Sequence, residues 1–431
     1  MFTAQTAGGA ARSDEAALSS SGHTPRQVLV RYCGIWSAYS IASGFLFGVY
    51  PIFLHARGLN QFQMDSVLAI YFAVTFLTDV PTGAFADALG RRRSFMLGCS
   101  LRAVAFLVYF FAYHYPMFLL GEFIDGIGTT FCNGSIDAWG VDALDDAGYK
   151  GLKDRLFWRI SQLMNLGFMI SAVIGSYIAD WNIAWPWLFG AIGYLINAVF
   201  IARLMHEKPH QHSALNLAAM PSLIRRRVVD GLRQGFAART LFLLSLANGI
   251  FFAAWAPYWL EWPQFFNQSY GSGVWVVGWI YGLFTITRMI GAEVMIQTSG
   301  ERAGRPKKLI VMASALALLM YLGGSSANHT TLALIIFSML NACMGAVLPF
   351  VQSWVNEEIR AEQRATLLSF RSTFETMGGS IGLLITGIIA DRAGIPTAWQ
   401  FAGVLTLVTL PCYWALHKRI GIASDQASDV A

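Results

Sequence analysis

Two acidic residues, Glu122 and Asp125, stand inside one long apolar run of the sequence. On a helix, residues three positions apart share one face, so both carboxyl groups would point in the same direction. Two neighbouring carboxylates in a low-dielectric environment resist being ionised together, which suits a group that takes up and releases a proton. The alternative is a structural ion pair between this acidic face and Arg102 of the preceding apolar run. The sequence leaves both roles open.

A second set of charges lies in apolar runs nearer the C-terminus. Arg371 and Glu375 are four residues apart, a spacing that favours a salt bridge within one helix. Arg288 has no obvious local partner except Glu293, so a substrate anion or Glu375 is a candidate partner for it. Charges inside membrane segments are costly and are functional candidates by default. The functional candidates among the charges of the apolar runs, including candidates for handling protons, are therefore Glu122, Asp125, Arg102, Arg288, Arg371 and Glu375.

The apolar runs that carry these charges dominate the chain. Of its 431 residues, 55% are hydrophobic and 13% are charged, whereas soluble proteins are about 45–50% apolar and about 25% charged. A membrane-spanning helix takes about 20 apolar residues, and twelve such runs can be marked along the sequence. The runs are continuously apolar and do not alternate, so they predict helices and not a barrel. This composition excludes a soluble enzyme, a disordered protein or a nucleic-acid binder as a description of the whole chain.

Lys and Arg residues predict the orientation of these spans. With the N-terminus inside, most basic residues fall in inner loops or termini, and Arg57 and Arg392 are exceptions in outer loops. This positive-inside bias predicts a multi-pass protein with both termini in the cytoplasm. We expect a disordered N-terminus (1–27), an N-terminal six-helix bundle (28–205), a cytoplasmic linker with a basic amphipathic helix (206–239), a C-terminal six-helix bundle (240–417) and a cytoplasmic tail (418–431).

Tryptophans concentrate near the outer ends of the predicted spans, where interfacial anchoring is the general expectation. The seventh span is predicted to end at Trp259, and the aromatic stretch Trp255–Phe266 surrounds that end. This stretch is dense enough in aromatic residues that a gate or a substrate contact is the alternative to anchoring.

Short motifs recur in the two parts of the chain at nearly one offset. Ile-Ala-Asp closes the fifth span at Asp180 and the eleventh span at Asp391. A Trp followed three residues later by an acid ends the fourth span at Asp142 and the tenth at Glu357. Matches at equivalent places in a six-span unit predict two homologous halves.

The most specific string in the chain is Asp79-Val-Pro-Thr-Gly83-Ala-Phe-Ala-Asp87-Ala-Leu-Gly90-Arg91-Arg92-Arg93. It resembles the loop between the second and third spans of the major facilitator superfamily, and its acid-x-Pro-Thr-Gly start resembles a bacterial branch of that superfamily. The stretches Glu122–Gly128, Asn133–Trp139 and Arg364–Ser369 resemble the same branch, although Asn133 and Asp137 replace its usual Ser and Glu. The resemblance implies an all-α membrane protein, with twelve transmembrane helices in two pseudo-symmetric six-helix bundles around a central cavity.

The resemblance also implies a gate on the cytoplasmic side. Asp142 is the natural partner of the arginine cluster after Gly90, and Glu357 would play the same part in the second half. We expect such pairs to close the cytoplasmic side when the cavity faces outward and to break on inward opening. Positive-inside anchoring alone is the alternative. The expected gate residues are Asp79, Gly83, Asp87, Gly90, Arg91, Arg92, Arg93, Asp142, Glu301, Gly304, Arg305, Lys307 and Glu357.

The function implied by the resemblance is secondary active transport of a small organic solute across the inner (plasma) membrane. Acids within the spans and the lack of a nucleotide-binding segment in the sequence favour proton-coupled efflux. Uptake by symport or uniport is the alternative, followed by a non-transporting sensor or an intramembrane enzyme, which the lack of a mid-span His disfavours. The five cysteines are widely spaced and form no His/Cys cluster, so no cofactor or metal is expected. The expected partners are the solute, protons and the lipid bilayer, for a monomer that binds no nucleic acid.

Overall fold

The computed structural model describes residues 24–133, 135–149, 151, 153–207, 229, 233–298, 304–358 and 364–428. Within these residues the long regular elements are all helices, and no strand occurs. They are α1 (Pro25–Gly44), α2 (Tyr50–Ala56), α3 (Gln61–Leu89), α4 (Arg91–Phe110), α5 (Tyr115–Cys132), α6 (Ser135–Asp146), α7 (Lys153–Trp181), α8 (Trp185–Leu204), α9 (Arg239–Tyr270), α10 (Trp275–Thr298), α11 (Arg305–Ser325), α12 (Thr330–Glu358), α13 (Arg364–Ala393), α14 (Ile395–Leu407) and α15 (Leu410–Ser428).

Three predicted spans are built from two helices each: α1 with α2, α5 with α6, and α14 with α15. The first span starts with a capping box, in which the Thr24 side chain accepts from the Gln27 amide and the Gln27 side chain accepts from the Thr24 amide. It breaks at residues 45–49, where Gly48 has a φ of 86° that favours glycine. The chain then restarts as α2, and Leu46 and Val49 of the break are buried.

Length and composition qualify eight helical segments of the described chain as membrane spans. These are α4, α8, α9, α10, α11, α12, α13 and the continuous stretch of α14 and α15. The other four predicted spans are helical as well, but they are interrupted or carry more polar sequence. The predicted linker helix and the predicted N-terminal disorder lie largely outside the described residues. The domain boundaries therefore stay predictions.

Each half of the chain has its own apolar core. In the N-terminal half (residues 24–207), Phe53, Phe118 and Trp187 belong to one buried cluster. A second cluster is built almost wholly from the C-terminal half (residues 233–428), with Phe337 and Trp399 among its members. Within each half, helices approach closely where small residues meet, as is common between membrane helices.

The described contacts between the halves lie toward the predicted outer side. Helix α3 packs along α13, and α7 packs along α10. Ser380 of α13 donates to the carbonyl oxygen of Ala69 at 3.4 Å, and Gly278 of α10 lies against Val173 and Ser176 of α7. The two halves are thus closed against each other on this side.

On the same side, each half caps the first turn of a helix in the other half. The Asp180 carboxylate, at the end of α7, accepts hydrogen bonds from the amides of Val274 at 2.6 Å and Trp275 at 3.3 Å, where α10 begins. The Asp391 carboxylate, at the end of α13, accepts from the amide of Gln61 at 3.2 Å, where α3 begins. Carboxylates stabilise helix N-termini because unpaired amides and the helix dipole point at them. The repeated Ile-Ala-Asp motif therefore forms two equivalent latches between the halves.

Candidate functional site

A cavity of about 410 Å³ lies between the two halves. The N-terminal half contributes residues from α1 to α5, α7 and α8, and the C-terminal half contributes one long segment of α9. Its wall is mainly aromatic and aliphatic, with a few polar groups grouped on the N-terminal side. The lining residues are Ser43, Leu46, Phe47, Gly48, Tyr50, Pro51, Leu68, Tyr71, Phe72, Arg102, Phe106, Tyr109, Glu122, Asp125, Phe168, Trp187, Phe252, Trp255, Ala256, Trp259, Leu260 and Pro263.

Glu122 projects from α5 to this cavity and is 5% exposed. Its carboxylate accepts a hydrogen bond from the Tyr50 hydroxyl at 2.5 Å, and that hydroxyl lies 3.3 Å from the Tyr109 hydroxyl. Tyr50 reaches this position because the chain breaks before α2. Among the described residues, no Lys, Arg or His forms an ion pair with Glu122. It is therefore an acid of the cavity with a phenol as its partner.

Asp125, one turn further along α5, is paired with Arg102 of α4. The guanidinium donates from Nε to Oδ1 at 2.9 Å and from Nη2 to Oδ2 at 3.2 Å, a bidentate arrangement. Arg102 also donates to the Tyr39 hydroxyl, and its guanidinium lies 4.6 Å from the centre of the Tyr194 ring. The ion pair offered by the sequence thus exists for Asp125, and the two acids of the shared face have different environments.

The charged residues of the C-terminal half are not among the residues that line the cavity. Arg288 donates to Asn341 Oδ1 at 2.7 Å, and Asn341 in turn donates to the Tyr258 hydroxyl at 3.0 Å. Arg371 and Glu375 form the expected intrahelical salt bridge at 2.8 Å, and Asn248 donates to the same Glu375 oxygen. These groups form two polar clusters between helices, with Arg288 and Glu375 bonded to different partners.

Several residues of the cavity were not predicted as site residues. Phe47, Phe72 and Phe168 are ordinary apolar residues in the sequence, with no signal that distinguishes them. Trp255 and Trp259 were placed at the outer end of the seventh span, but α9 continues to Tyr270 and brings both rings to the cavity wall. The aromatic stretch therefore reaches the cavity wall, and its role as an anchor, a gate or a substrate contact stays a prediction.

The arginine cluster lies at the N-terminal end of α4, which the sequence predicts to be cytoplasmic. Arg91 forms a salt bridge with Asp142 of α6, so the predicted partners meet within the N-terminal half. Glu207, which the sequence did not single out, accepts from the amides of Arg91 at 2.7 Å and Arg92 at 3.2 Å and so caps α4. Gly90 has a φ of 98°, as the tight turn requires. This end of the half is a connected polar network.

The other expected gate residues differ in exposure, and some lie outside the described residues. Asp79, Arg93 and Lys307 are exposed, Arg305 is half-buried, and Arg92 donates to the carbonyl of Ala202. Space is open around the Cα atoms of Gly83 and Gly304. Glu301 lies outside the described residues, as do the side chains of Asp87 and Glu357. For the gate as a whole, the cytoplasmic role stays a prediction.

Three bacterial proteins are similar to this chain over most of their length. The protein YxaM of Bacillus subtilis, named as an uncharacterized transporter of the major facilitator type, is 21% identical over 89% of this chain and 96% of its own. Multidrug resistance protein 2 of Bacillus subtilis is 20% identical over 85% and 89%, respectively. The quinolone resistance protein NorA of Staphylococcus aureus is 21% identical over 85% and 90%.

Solved structures share the fold at low sequence identity. The nucleoside transporter NupG superposes with a TM-score of 0.66 at 15% identity, over 91% of this chain and 99% of its own. A POT family transporter in complex with a thioalcohol-conjugated peptide gives a TM-score of 0.68 at 12% identity, over 93% of this chain and 97% of its own. At these identities the likeness concerns the fold alone.

The predicted fold class, an all-α membrane protein with twelve transmembrane helices in two six-helix bundles, is confirmed by the helical structure and these neighbours. The chain matches the family described as Major Facilitator Superfamily over residues 33–292 and 244–425, which together cover nearly all of it. Its relatives are transporters and not enzymes, and the assignment to one bacterial branch stays a prediction. The chain is a multi-pass membrane protein that belongs to the Major Facilitator Superfamily of transporters.

Proposed function

We propose that this transporter exports apolar organic cations in exchange for protons. Transport of a small molecule follows from family membership, whereas the direction, the coupling ion and the solute class are our proposal. The observation that carries it is the position of Glu122, an acid without an ion-pair partner among the described residues, in an aromatic cavity between the halves.

The cavity suits a flat, apolar molecule that carries positive charge. Its volume of about 410 Å³ lies within the ~300–1,000 Å³ that is usual for small-molecule sites. Phe47 stands in the middle of an aromatic wall, with ring centres 4.8 Å from Trp259 and 4.3 Å from Tyr281. Aromatic faces attract cations as well as apolar rings. The carboxylate of Glu122 then supplies the charge that selects a cation over a neutral molecule of the same shape.

Exchange with protons follows from the same carboxyl group. Glu122 can hold a proton or neutralise a bound cation, but it cannot do both, so the two ligands compete. The neighbouring Asp125 is held by Arg102 and accepts its two hydrogen bonds. We therefore propose that Glu122 exchanges the proton and that the Arg102–Asp125 pair fixes α4 against α5 in the cavity wall.

Similarity to multidrug and quinolone resistance proteins supports export. Export would require the cavity to open alternately to each side of the inner membrane, with both termini in the cytoplasm. The Arg91–Asp142 pair joins α4 to α6 of one half. We propose that this ion pair holds the cytoplasmic ends of α4 and α6 together as part of the gate. We also propose that the protein works as a monomer.

The test uses everted membrane vesicles, in which an exporter accumulates solute when the interior is acidic. The probe is ethidium, a planar aromatic cation, and its accumulation is measured with and without the pH gradient. We expect gradient-driven accumulation that falls at least tenfold in Glu122→Gln. Glu293→Gln is the matched control, because Glu293 is exposed on α10 and bonds only to Gln297 among the described residues.

Three results would contradict the proposal. Accumulation that does not depend on the pH gradient, or that survives Glu122→Gln, would remove proton exchange through this residue. Accumulation by right-side-out vesicles with no accumulation by everted ones would show uptake by symport or uniport instead.

A further inference from the structure

Two further carboxyl groups are buried in the closed outer interface, away from the lining of the cavity. Asp65 lies one turn into α3 of the N-terminal half, and Glu261 lies on α9 of the C-terminal half. Both side chains are 0% exposed. The proposed exchange at Glu122 uses neither of them.

Three of their four carboxylate oxygen atoms lack hydrogen-bond partners among the described residues. Oδ2 of Asp65 and both carboxylate oxygens of Glu261 are buried without a hydrogen bond. Asp65 Oδ1 accepts one long bond from the Gln61 side chain at 3.4 Å. The Trp399 indole interacts with Glu261, yet its Nε1 atom has no partner in hydrogen-bonding geometry. Buried polar atoms are nearly always satisfied in native structures, so these unpaired carboxylate oxygens require a physical explanation.

The charged groups that face this pair are acidic. Glu261 interacts electrostatically with Asp65, and Asp65 interacts with Asp391 of α13. In the described part of the chain, no Lys, Arg or His forms an ion pair with either residue. A positive charge must therefore come from outside the protein if the site is to be neutral.

An ionised carboxylate that is fully buried without a cation is strongly destabilised. Two such groups near each other cost more, because each charge opposes the other. A proton on each carboxyl removes the charge and turns one oxygen into a donor. The closed interface is therefore compatible with neutral, protonated carboxyl groups and not with two carboxylates.

The packing couples this protonation to the closure of the interface. A Cβ atom added to Gly387 of α13 would lie 2.7 Å from Asp65 Oδ2, so α13 covers the carboxyl directly. One turn inward, Leu68, Leu260 and Leu383 belong to an apolar cluster from three helices. Leu68 and Leu260 also line the cavity, so this cluster stands between the acids and the cavity. Separation of the halves on the outer side would hydrate Asp65 and Glu261 and allow them to ionise.

We propose that Asp65 and Glu261 form a proton-binding site that holds the outer gate closed when it is occupied. The inference rests on the proposed transport function, because it needs a gate that opens, but it names a site distinct from Glu122. Closure takes up protons, so acidic conditions outside favour the closed gate. As the pH rises, the ratio of closed to open molecules should fall about tenfold per pH unit for each proton that closure takes up.

The experiment measures the gate itself by electron spin resonance distances in lipid nanodiscs. Spin labels are placed at Ala56→Cys and Ser269→Cys, which are exposed near the outer ends of α2 and α9 in a background without native cysteines. The distance distribution is recorded from pH 5 to pH 9, in sodium and in choline buffer. We expect the open fraction to rise with pH in the labelled parent protein.

Neutral variants separate the proton site from other causes. Asp65→Asn together with Glu261→Gln imitates the protonated form, so we expect the gate of this double variant to be closed at every pH. Each single variant should halve the slope of the logarithm of the closed-to-open ratio against pH. Glu293→Gln is the control that should keep the full pH dependence, because this exposed carboxyl lies outside both proposed proton sites. A double variant with unchanged pH dependence, or closure by sodium at constant pH, would overturn the proton site.

The outcomes for the two proposals differ. If the parent protein shows pH-dependent opening that the double variant loses, the proton site stands even when ethidium is not transported. If ethidium export is proton-driven but the double variant opens with pH like the parent, the site is overturned and the export function stands. If the distances between the two spin labels stay the same at every pH, the proton site is overturned as well.

Discussion

The two carboxylate latches on the outer side allow a quantitative prediction. Asp180→Ala removes the acceptor for the amides of Val274 and Trp275 at the start of α10. Asp180→Asn keeps an oxygen acceptor, and Asn caps helices about as well as Asp. The alanine variant should therefore open the outer side, whereas the asparagine variant should leave it nearly unchanged.

The magnitude follows from helix capping. Loss of a capping Asp costs about 1 kcal/mol, within the usual range of ~0.5–2 kcal/mol. The hydrogen bonds of the Asp180 carboxylate exist only while the halves are closed, because α7 and α10 belong to different halves. One latch is thus worth a roughly fivefold change in the ratio of closed to open molecules. Asp391→Ala removes the equivalent bond to Gln61, and both variants together should give roughly thirtyfold if the sites are independent.

The assay is thiol labelling of Ala256→Cys, at a buried position of the cavity wall, in a background without the native cysteines. A membrane-impermeant thiosulfonate is applied from the outer side, so the labelling rate follows the open population. We expect about fivefold faster labelling in Asp180→Ala. Equal acceleration in Asp180→Asn, or none in Asp180→Ala, would refute capping as the source of closure.

Three further variants test the packing and the cavity. Gly345→Val should prevent folding, because a Cβ atom there would lie 1.9 Å from a backbone oxygen of α10, whereas Gly34→Ala, with open space around it, should give normal yield in detergent. Arg102→Ala should lower the free energy of unfolding by about 3–5 kcal/mol, because it leaves Asp125 buried without its cation. The second substitution Asp125→Asn should restore part of that free energy. Tyr50→Phe should keep the fold but slow ethidium export, because it removes the bond to the cavity acid; unchanged export would show that the phenol has no role.

The ion pair and the repeat show how far the sequence reaches. Arg102 and Asp125 lie on consecutive spans, and a buried charge requires a partner, so their pairing could be anticipated. The recurrence of Ile-Ala-Asp predicted two related halves. That each copy caps a helix of the opposite half could not be foreseen, because the contact joins residues far apart in sequence and depends on how the halves meet.

The predicted ends of two spans explain why the sequence did not predict Asp65 and Glu261 as interior residues. Asp65 and Glu261 stood just beyond predicted spans, since a charge next to Pro263 or before an apolar run is typical of a loop. The helices extend past these points, with α3 starting at Gln61 and α9 ending at Tyr270. Burial between the halves, which no local pattern encodes, makes the two acids interior residues.

The tryptophans of the cavity wall give the protein an optical reporter of its own. The Trp187 ring stacks on Tyr109 with ring centres 4.0 Å apart and planes within 1°, and Trp255 and Trp259 face the same space. A planar dye that enters between these rings would quench their emission and accept energy from them. Occupancy can then be followed in unlabelled protein, at rest and without any gradient, so that affinity is separated from turnover.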